Sequence, residues 1–446
     1  MDKARETAAK VLLAVHEQGA YANVALVQAL RRSALKEVDR RFVTELAYGA
    51  VKAGDTLDWI LGRYMSRPLK KCPPMVREIL RLGIYQIFYM DKVPASAACN
   101  EAVELTKKYS HAGTVKFVNG VLRAAVRDPE RARFPDEEME PAEHLALSAC
   151  HPLWMVERWI RSFGYEEAKD LCAFDNGQPV LSLRTNTLKI HREDLMEKLR
   201  GEGAEVVPSQ WTPEGVLCLS HGSLDDLGVL QEGFCQVQDE SSMLVAHVLG
   251  AKAGEFVIDV CSAPGGKATH MGALMEDRGR ILACDIYEHK LRRIEENAAR
   301  LGLHILETKL LDGRRIGEVY RGQADRVLVD APCSGLGVLR RKPDARWKKD
   351  PKILRELPEL QRALLESASM ALKPGGVLVY STCTITPEEN RQVAEAFLDA
   401  HRDFCLEDTG SFLPSGRPGE KMVQLYPQRD GTDGFFIVRM RRKGLS

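Results

Sequence analysis

Several features that would assign the chain to a simple class are missing. No apolar run in the 446 residues approaches the roughly 18 residues that a membrane helix needs, so we expect no membrane partner. The N-terminus opens an amphipathic pattern and does not resemble a signal peptide. There are 11 cysteines, but none are spaced as Cys-x-x-Cys, so we expect no metal and reduced thiols in a cytoplasmic protein.

Neither sign of charge is in excess over the whole chain, which carries 63 basic and 63 acidic residues. The balance is uneven, because residues 1–134 carry 23 Lys and Arg but only 14 Asp and Glu. A basic N-terminal region suggests a polyanionic partner, although an ordinary solvated surface would give the same count.

The hydrophobic pattern predicts three domains, at 1–134, 145–245 and 246–446. The first is all-helical, because apolar residues recur at helical spacing and no strand alternation is found. The second is a small α/β module with strands at 180–184 and 204–207. An acidic, Pro-flanked linker precedes the module. Short α/β modules bind many kinds of ligand, so this one is weak evidence for an RNA contact.

Strands and helices alternate in the third segment, which predicts an α/β fold with an open, doubly wound sheet. The expected strands lie at 256–260, 280–285, 304–309, 326–330, 376–381 and 435–440. The expected helices lie near 265–276, 287–301, 358–372 and 387–400, with Pro358 in the first turn of its helix.

A Gly-rich turn follows the first of these strands and is the predicted cofactor site. It lacks the spacing of a P-loop, because Cys261 stands at the first Gly position and Ala268 follows the lysine, and it also lacks Gly-x-Gly-x-x-Gly. S-adenosylmethionine remains as the predicted cofactor, because its amino-acid part must come close to the backbone at a turn and glycine permits this. The turn residues are Cys261, Ser262, Ala263, Pro264, Gly265, Gly266 and Lys267.

Two acidic residues downstream complete the predicted cofactor site. Asp285 ends the next strand, 19 residues beyond Gly266, where a carboxylate would bind a ribose. Asp312 follows the third strand and could reach an adenine amino group, but an ordinary loop aspartate is an equal explanation.

Two cysteines follow later strands, in Asp330-Ala-Pro-Cys333 and in Ser381-Thr-Cys383. Either one alone is most simply a small residue near a strand end. Together with Asp330 they fit methylation at carbon 5 of a pyrimidine, which needs a thiolate at carbon 6, an acid near nitrogen 3 and a second proton-handling group. The residues alone do not decide between Cys333 and Cys383 as nucleophile.

The three motifs, in this order, resemble the Nol1/Nop2/Sun RNA cytosine-5 methyltransferases. The resemblance implies a Rossmann-like class I methyltransferase domain that uses S-adenosylmethionine, with Cys383 as nucleophile, Cys333 assisting release and Asp330 as both a catalytic and a cofactor-binding residue. The N-terminal segment resembles the NusB-like RNA-binding domain, through Asp39–Phe42, Ile84–Gln86 and Lys116–Leu122 among others. This combination points to the bacterial branch of the family that methylates a cytosine of 16S rRNA, and we expect a monomer.

A basic segment follows Cys333 directly, and we expect it to contact RNA, because backbone phosphates need Lys or Arg and an extruded base can stack on an aromatic ring. Its residues are Arg340, Arg341, Lys342, Arg346, Trp347, Lys348 and Lys349. Two alternatives stay open for the whole chain: the same chemistry on transfer RNA or, less favoured, DNA, and a non-catalytic NusB-like RNA-binding factor.

Overall fold

A computed structural model describes residues 2–222 and 227–444. The chain divides into two compact units. The helical unit comprises residues 1–177 together with 339–349, and the sheet unit comprises 178–338 and 350–446. The basic segment therefore belongs to the helical unit, although the chain on both sides of it belongs to the sheet unit.

The helical unit contains no strand among its described residues, as its sequence pattern predicts. Proline positions set several boundaries, since α5 begins with Pro74 and α6 follows Pro94. Its helices are α1 (Lys3–Glu17), α2 (Ala22–Arg31), α3 (Glu37–Ala53), α4 (Asp55–Tyr64), α5 (Pro74–Tyr89), α6 (Ala95–Tyr109), α7 (Ala112–Arg127), α8 (Pro141–Ser148), α9 (Leu153–Phe163) and α10 (Tyr165–Asn176).

One hydrophobic core unites the first seven of these helices. Leu12, Leu46, Leu61 and Ile79 are fully buried within it. None of the described helices of the protein is both long and apolar enough to cross a membrane.

The sheet unit begins with a small antiparallel sheet of β1 (Leu181–Thr185), β2 (Glu205–Pro208), β3 (Gly215–Ser220) and β4 (Cys235–Val237). Its strand order is β2-β3-β1-β4. Helices α11 (Arg192–Gly201) and α12 (Gly228–Gln231) accompany it. The sequence pattern predicts β1, α11 and β2 but misses β3 and β4, because short strands carry too few residues for a clear alternation.

A second sheet forms the body of the sheet unit. Its order is β10-β12-β9-β8-β5-β6-β7, with β11 paired to β12. Strands β5 to β9 pair in parallel, and β10, β11 and β12 are antiparallel additions. The strands are β5 (Phe256–Asp259), β6 (Arg280–Asp285), β7 (Leu306–Leu310), β8 (Ala324–Asp330), β9 (Leu372–Thr382), β10 (Phe404–Leu406), β11 (Met422–Leu425) and β12 (Phe435–Arg442).

Helices cover this sheet: α13 (Glu240–Leu249), α14 (Gly266–Leu274), α15 (Glu288–Leu301), α16 (Ile316–Val319), α17 (Ile353–Ala371), α18 (Arg391–Ala400) and α19 (Pro427–Asp430). The expected position of Pro358 is wrong, since α17 begins five residues before it. The added turn buries Leu354, and we attribute the earlier start to this burial, which outweighs the hydrogen bond that Pro358 cannot donate.

Candidate active site

The site lies where three neighbouring strands of the large sheet end. Strands β8, β5 and β9 are adjacent and parallel, with Asp259 level with Leu328 and Asp330 level with Ser381. Because parallel strands end at the same edge, the turn after β5, Asp330 and Cys383 come together there.

The Gly-rich turn needs glycine for a steric reason. Gly265 adopts a left-handed conformation with φ of 94° and precedes α14. A Cβ atom added to it would come within 3.3 Å of the Ile294 backbone. Gly266 and Lys267 then open the helix, so the backbone of the turn stays accessible to a ligand. The Ala263–Pro264 peptide bond in this turn is cis.

Cys261 and Ser262 lie at the start of the same turn. Ser262 is buried, and Cys261 is half-buried. Burial, followed by the negative charges of Asp259 and Asp330, raises the pKa of the Cys261 thiol well above its usual value. Cys261 therefore stays a neutral thiol.

Arg184 on β1 supports the back of the turn, a role that no sequence motif predicts. Its buried guanidinium donates to the Gly266 carbonyl at 2.5 Å and to Thr269 Oγ1 at 3.1 Å, and it also contacts Gln238 Oε1. The small module thus holds the predicted cofactor turn directly. The only sign of this role in the sequence was an arginine within an otherwise apolar strand, because a buried arginine needs a partner.

Glu214 lies close to Arg184 and contacts two histidines. Its Oε1 is 2.9 Å from His247 Nε2 and 2.8 Å from His270 Nε2. Burial, partly offset by Glu214, lowers the pKa of His270 to about 4, so the ring is neutral. Among the described residues this trio alone has metal-ligand geometry, but the positive charge of Arg184 beside it disfavours a cation.

Lys267 and Asp330 form an ion pair at the edge, with Nζ 2.7 Å from Oδ2. The other oxygen of Asp330 accepts a hydrogen bond from Ser381 Oγ at 2.8 Å. Burial acts to lower the pKa of Lys267, but the charge and hydrogen bond of Asp330 outweigh it and raise the pKa. Lys267 therefore stays charged and fixes Asp330 next to the cysteines.

Asp259 is a second site residue that the sequence motifs do not include. It ends β5, it is 1% exposed, and neither carboxyl oxygen has a well-formed hydrogen bond. Burial, followed by the negative charge of Asp330, raises its pKa to about 7. A buried carboxyl that titrates near neutral pH is a common feature of functional sites. In the sequence, the available sign of its role was its position as the last residue of the strand before the Gly turn.

The structure brings the two cysteines together, with 3.2 Å between Cys333 Sγ and Cys383 Sγ. Both are half-buried, and neither forms a disulfide. The hydrogen bond to Cys383, then burial and the negative charges of Cys383, Glu389 and Asp330, raise the pKa of Cys333 well above its usual value. The raised pKa means that Cys333 keeps its proton, and either sulfur can be the donor in the contact between them.

The two downstream aspartates lie at the ends of β6 and β7. Asp285 is buried and accepts from the Tyr287 N–H at 3.0 Å, and Ile286 beside it is 55% exposed. Asp312 accepts from the Arg314 N–H at 2.9 Å and pairs with its guanidinium. That hydrogen bond lowers the pKa of Asp312, with burial opposing it. Asp285 therefore lies at the end of the strand next to the Gly turn, with Lys290 Nζ 3.7 Å from its Oδ1, and Asp312 is engaged by Arg314.

The basic segment differs from its prediction at Arg346. Arg346 is fully buried, and its guanidinium donates to the Cys150 carbonyl at 3.0 Å, to Asn176 Oδ1 at 2.9 Å and to the Asp175 carbonyl at 3.1 Å. The expected RNA contact of Arg346 is therefore wrong, because a phosphate cannot reach a buried guanidinium that is already bonded.

Trp347 is likewise held inside the helical unit. Its Nε1–H donates to the Lys52 carbonyl at 3.0 Å, and its ring lies against Gly54, where an added Cβ would come within 2.3 Å of the ring. The indole is half-buried and its N–H is bonded within the helical unit, so its stacking on a base stays a prediction.

The remaining cations of the segment stay at the surface to different degrees. Lys342 and Lys348 are exposed, and Lys349, Arg340 and Arg341 are half-exposed. Arg340 stacks over Phe174, and Lys348 donates to the Ala20 carbonyl at 2.9 Å. Lys342 is thus a clear candidate for a phosphate contact.

The order of the sheet, the Gly turn and the acidic strand ends define a Rossmann-like methyltransferase domain, preceded by a small α/β module and a helical domain. Family models match each part: NusB family at residues 2–127, the ferredoxin-like domain of RsmF/B-like methyltransferases at 151–224, and 16S rRNA methyltransferase RsmB/F at 246–441. The middle match starts in the helical unit and ends in the sheet unit, so it crosses the division at Gly177.

Full-length relatives agree with these matches. The chain is 39% identical to a probable ribosomal RNA small subunit methyltransferase B of Bacillus subtilis, over 99% of each chain. It is 32% identical to ribosomal RNA small subunit methyltransferase B of Yersinia enterocolitica, over 98% of each. The chain therefore belongs to the RsmB/F family of methyltransferases, which confirms the expected fold class and family.

Solved structures support the same assignment. The crystal structure of PH0851 has a TM-score of 0.85 and 28% identity, and the match covers 99% of each chain. The crystal structure of NSun6 from Pyrococcus horikoshii with SFG has a TM-score of 0.59 and 28% identity, over 65% of this chain and 98% of that one. The first match includes the N-terminal domain, and the second leaves about a third of this chain unmatched.

Proposed function

We propose that the protein transfers a methyl group from S-adenosylmethionine to carbon 5 of a cytosine in 16S rRNA. The observation that carries this proposal is the pair of sulfurs of Cys333 and Cys383, 3.2 Å apart, beside the Lys267–Asp330 pair at the edge of the Gly turn. The names of the relatives support small-subunit ribosomal RNA as the substrate, and the NusB-like domain with its basic balance fits an RNA partner.

The residues around the turn fit S-adenosylmethionine. The left-handed Gly265 and the first N–H groups of α14 leave room for the amino-acid part, and the Asp285 carboxylate fits the ribose. The exposed side chains of Ile286 and Leu310 are apolar surfaces that fit an adenine. SFG, an analogue of this cofactor, accompanies the related NSun6 structure. The cofactor supplies an electrophilic methyl group.

Cys383 starts the reaction as a thiolate that bonds to carbon 6 of the cytosine. The carbon 5–carbon 6 double bond opens, and its electron pair shifts towards nitrogen 3, where the Lys267–Asp330 pair offsets the developing negative charge through the ammonium of Lys267. Carbon 5 then becomes nucleophilic and takes the methyl group. The S–H donor Cys333 helps to hold the Cys383 sulfur as the attacking thiolate before the bond forms.

Release needs a base for the proton on carbon 5. Once Cys383 is bonded to the base, Cys333 no longer has a thiolate beside it, so it loses its proton to solvent and its thiolate then takes the proton from carbon 5. Loss of that proton restores the double bond, and the electron pair of the carbon 6–sulfur bond returns to Cys383. The products are 5-methylcytosine and S-adenosylhomocysteine.

Bisulfite sequencing of total RNA from a strain that lacks this protein tests the substrate and the position together. We expect one 16S cytosine to lose its protection and to regain it when the wild-type protein is restored, but not with Cys383→Ala. Loss of protection in a transfer RNA would move the substrate, and unchanged protection everywhere would overturn the proposal.

A Cys333→Ala variant tests the covalent route. It should accumulate an RNA–protein adduct that resists denaturing gel electrophoresis, because attack proceeds while release slows. The double variant that also carries Cys383→Ala is the control and should show no adduct. An adduct that survives in the double variant would exclude Cys383 as the nucleophile.

A further inference from the structure

Beneath the two cysteines lies a buried carboxylate, Glu389, that the reaction scheme does not use. It is fully buried, and among the described residues it forms no ion pair. A buried carboxylate without a cation is unfavourable unless several donors satisfy it. What Glu389 binds therefore indicates why it is there.

The donors to Glu389 belong to segments that carry the cysteines or face them. Glu389 Oε2 accepts from the Ser334 N–H at 2.8 Å and from Gln361 Nε2 at 3.0 Å. Its Oε1 accepts from Thr386 Oγ1 at 2.7 Å. Gln361 Nε2 also donates to the Pro332 carbonyl at 2.9 Å. The residues on both sides of Cys333 are therefore held by Glu389 or by its partner.

The same network reaches the residue after Cys383. Thr384 Oγ1 lies 2.7 Å from Ser334 Oγ, and the Gly337 N–H donates to the Cys383 carbonyl at 3.2 Å. Glu389 follows Cys383 closely in sequence, and its own carbonyl accepts from the Tyr380 hydroxyl. The two cysteine loops are thus cross-linked through one buried carboxylate, which fixes how near the sulfurs come.

We propose that Glu389 is a positioning residue for the two-cysteine centre. Its hydrogen bonds hold the Cys333 loop against the Cys383 loop, and its negative charge lies beside the Cys333 thiol. The expected change in kcat rests on the proposed function, whereas the expected change in the pKa of the Cys333 thiol does not.

The charge of Glu389 acts on Cys333 within a defined set of groups. The titratable groups that face Cys333 are Cys383, Asp330, Glu389 and Tyr380, with Lys267 paired to Asp330. The hydrogen bond with Cys383 contributes most to the raised pKa of Cys333, and the charge of Glu389 acts in the same direction. Removing that charge should lower the pKa of the Cys333 thiol.

Glu389→Gln tests the charge, because glutamine has nearly the same shape and can keep the bonds to Ser334 and Gln361. We expect iodoacetamide alkylation of Cys333, followed by peptide mass spectrometry, to shift its pH midpoint to lower pH. We also expect kcat to fall about ten-fold while the KM for S-adenosylmethionine stays within two-fold. Glu388→Gln, the neighbouring change, is the matched control and should do neither.

Gln361→Met tests the geometry separately, since it keeps the carboxylate of Glu389 and removes the hydrogen bonds of Gln361 to Pro332 and to Glu389. It should lower kcat without moving the alkylation midpoint. An unmoved midpoint in Glu389→Gln, or a loss of cofactor affinity as large as the loss of kcat, would overturn the proposal.

The alkylation needs no RNA, so its outcome is independent of the substrate. If the wild-type protein fails to methylate carbon 5 while the midpoint still shifts, the proposed function fails and the link between Glu389 and Cys333 stands.

Discussion

Two neighbouring stretches of the chain, one at the end of β8 and one beyond it, differ in how well their sequence predicts where their residues lie. The strand-end stretch, 330–335, looks like a few small residues, yet it supplies Asp330 and Cys333 to the site. The basic stretch, 340–349, looks like a nucleic-acid contact, yet Arg346 and Trp347 are packed within the helical unit. Position relative to a parallel strand was a better guide to where a residue lies in the folded protein than composition was.

The difference has a physical basis. A parallel sheet leaves little freedom about where the residue after a strand goes, because neighbouring strands end at one edge. A loop has no such constraint, and a long cation such as arginine binds backbone carbonyls as readily as phosphates. Arg346 is buried where it donates to three acceptors, at Cys150, Asp175 and Asn176. These acceptors are distant in sequence, so no local pattern predicts the contacts.

The largest expected effect is at the strand end. Cys383→Ala should reduce methyl transfer at least about a thousand-fold, because the covalent route loses its nucleophile. Binding of S-adenosylmethionine, measured by calorimetry, should stay unchanged. Cys405→Ala, at an exposed cysteine, is the control and should keep full activity. Full activity of Cys383→Ala would show that this strand-end residue is not the nucleophile.

A large effect on stability is expected at Arg346. Arg346→Met leaves three buried acceptors without their donors and should lower the free energy of unfolding by about 3 kcal/mol. Urea unfolding followed by circular dichroism measures this. Lys342→Met, at an exposed position, should change stability by less than about 0.5 kcal/mol. A stable Arg346→Met protein with weakened RNA binding would restore the original prediction.

Asp259 should make stability depend on pH. Its pKa is raised from 3.8 to about 7 in the folded state, so the folded protein holds a proton that the unfolded chain has lost between about pH 4 and 7. Stability therefore falls as pH rises through that window, by at most about 4 kcal/mol.

The matched variant for this effect is Asp259→Asn, which cannot titrate. Its stability relative to the wild type should rise from pH 4 to pH 7 and level off above that. Urea unfolding at pH 5 and pH 8 measures the difference. Parallel stability curves for the two proteins would show that Asp259 is not buried as an acid.

The smallest expected effect is at the exposed lysines of the basic stretch. Lys342→Ala and Lys348→Ala should each weaken RNA binding a few-fold and reduce the salt dependence of the affinity by about one ion. Filter binding at two or more salt concentrations measures both quantities. No change in either variant would mean that neither of these two lysines contacts RNA.

Much of the site could be predicted because its residues lie in short motifs at strand ends. Residues 261–267, Asp330, Cys333 and Cys383 stand out in the sequence alone, and the sheet brings them to one edge. Arg184, Asp259 and Glu389 do not stand out. Their importance comes from burial and from partners that are distant in sequence or lie on other loops, which a motif does not contain.

The sequence by itself determined the alternation of strands and helices, the cofactor turn and the pair of cysteines, because each depends on local spacing and on the chemistry of a few side chains. Only the tertiary structure decided that the sulfurs lie 3.2 Å apart, that Lys267 pairs with Asp330 and that Arg346 is buried. These features depend on which surfaces exclude water together, and burial of that kind is a property of the folded chain as a whole.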